Sequence, residues 1–153
     1  MEHYGGNLIF DENSLEFTFT IKGKKGVERK KVKLSKTQYL GAYNLALGTI
    51  KDNGSTDYRD ITNSGDLVNL FSTVVNCVAV FLEKHPGKSV FFTGDTEQKT
   101  LVYHEILRRH YQEFSKKFYI FGIVENEYKV IIEKFDSNGR YSGFLIENKL
   151  KSI

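Results

Sequence analysis

One cysteine, Cys77, cannot form a disulfide within the chain or build a cysteine-rich structural zinc site, and a reduced, cytosolic setting follows. Long hydrophobic runs are missing too. The longest, Val74 to Leu82, is interrupted by Asn76 and falls far short of the roughly 20 residues that cross a bilayer, so no membrane partner is expected. The opening MEHYGGNLIFDEN has no basic start, long apolar stretch or small-residue cleavage site, so no secretory leader is expected. Walker-type phosphate loops and the G-x-S-x-G nucleophile elbow are absent. His3, His85, His104 and His110 include no pair at metal-ligand spacing, so neither a metal nor a cofactor is expected.

What is present is a chain of 153 residues, 40% hydrophobic and 14% aromatic, enough for one buried core and too short for two ordinary domains. Residues 1–153 read as a single domain. The net charge of +3 hides an asymmetry. From Lys22 to Lys36 eight cations face the single acid Glu28, a local balance of +7 that leaves −4 for the remainder.

Alternation predicts the opening strands. Asn7 to Phe10 is short, and Leu15 to Ile21 puts Leu15, Phe17, Phe19 and Ile21 on one face. After a turn at Lys22 to Gly26, Val27 to Leu34 returns with Val32 and Leu34 inward and its lysines outward. Tyr43, Leu45 and Leu47 alternate within Tyr39 to Ile50, which favours a strand there. Thr56 to Ser64 reads as a surface connection ending in Ser64 and Asp66, either of which can cap a helix. That helix, Asp66 to Lys84, has apolar spacings of three and four, is apolar nearly all round, and stops at His85-Pro86-Gly87. Ser89 to Phe92 does not alternate and reads as an interior strand covered on both faces. A second helix over Glu97 to Lys116 carries Glu105, Arg109, Glu113 and Lys117 at i,i+4. Strands over Tyr119 to Val124, Tyr128 to Ile132 and Tyr141 to Ile146 follow, the last closing the sheet. The fold class is α+β: a twisted, mostly antiparallel sheet with two helices packed on one face.

Two groups of residues carry candidate chemistry. The first is the strand-to-helix corner Thr93-Gly94-Asp95-Thr96. Gly94 allows unusual backbone angles, Asp95 or Thr96 can cap the helix, and the helix start suits an anion or polar ligand. Lys99 and Tyr103 share a helical face, so an amine and a phenol can converge on that turn; the same spacing also serves a lysine stem packed on a ring. His104 and Arg108 form a similar pair without a carboxylate to orient the imidazole. Gly94, Asp95, Thr96, Lys99, Tyr103 and His104 are therefore the candidate ligand-binding set. Asp95 repels an anion unless Lys99 offsets it. Cys77 reads as buried and unreactive, and Asp66 and Asp95 as caps before they read as acids or bases. No catalytic residue is assigned.

The second group is the basic hairpin. Lys24, Lys25, Arg29, Lys30, Lys31 and Lys33 are candidates to follow a phosphate backbone or an acidic protein, with Tyr39 and Tyr43 placed to stack bases. The alternative is a solvated hairpin whose lysines block strand-to-strand aggregation.

From Tyr43 onward the order of motifs resembles a family of short bacterial proteins of unknown function, frequent in Bacteroidota. The residues that carry it are Tyr43 to Gly48, Asn63 to Asp66, Ser72 to Val74, Phe91 to Thr96 with Lys99, Thr100 and Tyr103, Phe118 to Gly122, and Tyr141 with Phe144 and Leu145. The resemblance implies this fold order and a bacterial origin, and no activity. The family usually has Gly-Ser-Thr at the corner and arginines on the first helical turn. Asp95, Lys99 and Leu101 stand in their place here, an exchange that weakens any anion site.

These readings rank first a small cytosolic bacterial binding module for protein or nucleic acid, of the kind encoded in toxin-antitoxin or phage-defence loci. An enzyme acting on RNA or nucleotides through Lys99, Tyr103 and His104 comes second. A self-associating interaction domain, a homodimer, comes third.

Overall fold

Side-chain alternation builds most of the sheet. The structure, a computed structural model, describes residues 6–23, 26–58, 67–93 and 97–149, without the side chains of residues 6, 7, 67, 68, 98 and 99. Strand β1 (Gly6–Phe10) pairs antiparallel with β2 (Glu16–Gly23), and β2 pairs with β3 (Gly26–Lys36) in unbroken register from Glu16 opposite Lys33 to Gly23 opposite Gly26. β3 pairs in turn with β4 (Ala42–Ile50). Phe17, Phe19, Ile21, Val32, Leu34, Leu45 and Leu47 are all buried on the same face.

β4 then runs parallel to β6 (Ser89–Phe92), and a parallel neighbour requires a long crossover. Helix α1 (Leu67–Lys84) lies in that crossover. Its Leu70, Phe71, Val74, Cys77, Val78, Phe81 and Leu82 are buried on the sheet, each large side chain contributing about 1.5–3 kcal/mol. The helix stops where Pro86 cannot continue it and Gly87 takes a φ of 88°. His85 Nε2 lies 2.7 Å from the Asn13 carbonyl oxygen and ties this end to the turn between β1 and β2.

Helix α2 (Glu97–Phe114) follows β6 and leads to β7 (Phe118–Glu125) and β8 (Val130–Lys134). The final strand, β9 (Gly143–Asn148), is antiparallel to both β6 and β7 and lies between them. The strand order is β1-β2-β3-β4-β6-β9-β7-β8, with the two-residue β5 (Thr56–Asp57) paired to the end of β4. Both helices cover one face of this nine-stranded sheet, and Phe71 meets Phe114 across them at 5.8 Å between ring centroids. The α+β class and the one-sided helix layer are as the sequence predicts.

Four details differ. β9 does not close the sheet but fills its middle, and β8 is left at the edge. β6 is interior in strand order, yet only Val90 and Phe92 are buried; Ser89 and Phe91 are half-buried on the face that carries no helix. β5 arises inside the expected surface connection. Tyr43 turns to the helix face, its ring 4.9 Å from Phe81 and 6.4 Å from His85, because it shares the parity of Leu45 and Leu47.

β9 is held by a contact from the loop before it. The Tyr141 ring lies flat against Gly122 of β7, and its hydroxyl accepts the Asp136 N–H at 2.9 Å. A Cβ at Gly122 would fall inside the Tyr141 ring, so only glycine fits beneath it. Gly122→Ala should therefore displace Tyr141 and cost about 1–3 kcal/mol by overpacking. Urea unfolding of that variant beside the parent measures it.

Candidate functional site

Of the residues that the sequence groups at the strand-to-helix corner, the structure describes the side chains of Tyr103 and His104, and these two it places apart. Gly94, Asp95 and Thr96 and the Lys99 side chain lie outside the described residues, as do Lys24 and Lys25 of the hairpin and the Ser64 and Asp66 caps. Tyr103 turns toward the sheet, edge-on to Phe92 at 5.3 Å, beside a small apolar cavity that Phe71 and Ile106 also line. His104, one residue on, faces elsewhere: its ring lies 5.2 Å from Phe135, 5.9 Å from Tyr141 and 6.3 Å from Phe144. Tyr103 and His104 thus belong to different environments.

His104 sits at a groove of about 350 Å³ between the first turns of α2 and the loop before β9. Glu97, Thr100 and Leu101 form one wall; Arg140 and Tyr141 form the other. His104 Nε2 is buried without a hydrogen-bond partner. Burial beside Asp136 and Glu133 holds the Tyr141 hydroxyl above the ordinary tyrosine pKa, desolvation being the largest cause. The groove therefore offers aromatic walls and one charge of each sign, Glu97 and Arg140, beside a histidine whose Nε2 is shut off from solvent. Arg140 and Tyr141 lie far along the chain from the helix and carry no local signal that links them to it.

The next residue of α2 after His104, Glu105, accepts from Arg108 Nη2 at 2.6 Å and from Arg109 Nε at 2.9 Å. These bonds, Arg108's first, lower its carboxyl pKa to about 2. The sequence ladder therefore keeps its first rung and gains Arg108. Cys77 is buried, and loss of solvent pushes its thiol pKa far above the ordinary value, as its apolar surroundings led one to expect. Among the described residues, no three His, Cys, Asp or Glu side chains come together as metal ligands.

The helix-free face of the sheet has a different character. Arg29, Lys31 and Lys33 alternate along β3 on that face, opposite Thr20, Thr18 and Glu16 of β2. Arg29 and Lys33 are exposed, and Lys31 Nζ lies 3.1 Å from the Glu16 carboxylate. Small residues of β4, Ala46 and Gly48, stand beside Lys33 and Lys31, with Tyr58 reaching over Gly48. Registers carry one row on from Ser35 through Asn44, Phe91, Leu145 and Phe121 to Lys134. Cations thus give way to half-buried aromatics across the same surface.

The profile of DUF6934, a family of unknown function, matches residues 1–149. The chain belongs to that family. No curated protein and no solved structure matches the chain. Membership reaches back beyond Tyr43 to take in the hairpin strands and the cations they carry.

Lys30 corrects the expectation that the hairpin lysines face outward. It is 1% exposed on the helix face, with Nζ 3.2 Å from Glu28 Oε1 and 2.7 Å from Thr49 Oγ1. The alternation that turns Val32 and Leu34 inward carries Lys30 and Glu28 with them. Its ammonium is thereby committed to the fold and cannot reach a ligand on the outer face. Removing one partner of such a pair strands the other charge, so Lys30→Met should cost about 3 kcal/mol, while Lys30→Met with Glu28→Leu should recover most of that loss. Denaturant unfolding of the two variants beside the parent measures both values.

Proposed function

We propose that this chain is a binding module for single-stranded nucleic acid that uses the helix-free face of its sheet. One observation carries the reading: Arg29, Lys31 and Lys33 stand in line on β3 while Phe91 and Phe121 lie half-buried on the same open surface. Single strands are held in this way, by cations along the phosphates and by ring faces under the bases. Strand spacing puts β3 and β6 about 10 Å apart, so a backbone lying over β3 can drop its bases onto Phe91. Three cations with a single arginine among them favour electrostatic tracking over readout of particular bases. The expected setting, the bacterial cytoplasm and an accessory locus of toxin-antitoxin or phage-defence type, belongs to this proposal. An acidic protein would meet the same cations without using the rings.

A second reading, an enzyme acting on RNA or nucleotides, draws on one observation, the unpartnered His104 Nε2 at the α2 groove. His104→Gln would abolish turnover of such a substrate and leave binding to the sheet face intact.

Fluorescence anisotropy with labelled oligo(dT) tests the main reading. Affinity should fall steeply with salt, and replacing Arg29, Lys31 and Lys33 by glutamine should flatten the log–log slope by about 2, at roughly 0.7 per lost phosphate contact. Phe121→Leu keeps apolar bulk and should weaken binding with the salt slope unchanged. No binding by the parent at low salt, or an unaltered slope in the triple variant, refutes the proposal.

A further inference from the structure

The edge of the sheet at β8 is unlike the rest of the surface. All five of its residues are exposed, and they include Val130 at 52%, Ile131 at 38% and Ile132 at 54%. Three consecutive aliphatics on an open edge strand form a template for another strand. The opposite edge is blunted, since β1 shifts register against β2 between Gly6 and Ile9. β8 pairs with β7 without such a shift.

The hydrogen-bond pattern shows which groups of β8 face outward. Asn126 N–H donates to the Lys129 carbonyl at 3.0 Å, and Phe135 N–H donates to the Ile120 carbonyl at 3.0 Å. Between these two bonds the ladder alternates, so Lys129, Ile131, Glu133 and Phe135 bond toward β7. The N–H and C=O groups of Val130, Ile132 and Lys134 therefore point away from β7. A two-fold antiparallel partner must match outward residues with outward residues. Only registers centred on a residue do so.

We propose that β8 pairs antiparallel with β8 of a second copy of this chain, centred on Ile131, to join two sheets into one. This register puts Val130 opposite Ile132 in bonded pairs and Ile131 opposite itself. It also sets Lys129 of each copy against Glu133 of the other, in the non-bonded positions where side chains approach most closely. Centring on Ile132 instead would place Ile131 against Glu133 and Val130 against Lys134, losing both charge pairs. The Glu133 carboxylate, exposed beside the Tyr141 hydroxyl, has oxygens enough for both partners. The contact is isologous, so it closes at two copies and leaves no further edge to extend a fibre at this end.

The inference does not depend on nucleic-acid binding. Sedimentation equilibrium of the parent, without nucleic acid, should show a reversible dimer. Lys129→Glu puts like charges opposite each other twice and should weaken the dimer about tenfold, while Lys129→Glu with Glu133→Lys exchanges the signs and should restore it to within about threefold. Ile132→Pro removes an outward N–H and no bond to β7, and should give a monomer with unchanged circular dichroism. A parent that is monomeric at 100 μM, or a dimer unmoved by Lys129→Glu, or one that the double exchange does not rescue, overturns the proposal.

Discussion

Continuity of the sheet through β9 is the constraint on which the other surfaces depend. β6 and β7 are one strand-width too far apart to pair, because β9 lies between them and bonds to both. Without β9 the sheet would divide into a six-strand part, β5 included, and a two-strand hairpin, and a lone hairpin is marginal in water. The Tyr141 ring on Gly122, with its hydroxyl on the Asp136 N–H, fixes where the chain enters β9. The same tyrosine meets His104 and Phe135 and so joins α2 to the strand it helps to place.

One-sided packing gives the molecule two unlike faces. The two crossover helices lie on the same side, so the apolar halves of the alternating strands are spent on one core. The other side keeps what alternation left over: threonines and cations on β2 and β3, then Phe91, Leu145, Phe121 and Ile123 toward β7. Half-buried rings beside a cationic strand are therefore a direct result of covering a mixed sheet on one face only. The exposed edge has a related origin, because β9 enters the middle and leaves β8 outermost.

Much of this was legible in the residues. The alternation of Phe17, Phe19 and Ile21 and the three-and-four spacing of α1 named the buried sides correctly. Lys30 was legible as well, by parity with Val32 and Leu34, but a cation-rich strand invites the assumption that every lysine is solvated. Tyr43 lies on the face of Leu45 and Leu47, as their alternation predicts, and that same parity turns its ring away from the base-stacking place expected of it beside Tyr39. The candidate sites were less legible. Glu97 and Thr100 meet Arg140 and Tyr141 only because the loop before β9 crosses beneath α2, and contacts of that separation leave no pattern in a local window.

The sequence by itself determined which segments become strands and helices, which side of each is apolar, and where the cations concentrate, since these follow from side-chain periodicity and composition along a short stretch. Tertiary structure alone decided the order of the strands, the parallel pairing of β4 with β6, the placement of β9 between β6 and β7, and the exposure of β8. Those depend on which edges meet after both helices have crossed the same face. Every strand here offers the same backbone donors and acceptors, so pairing is selected by the global packing of the core rather than by the residues of any one strand.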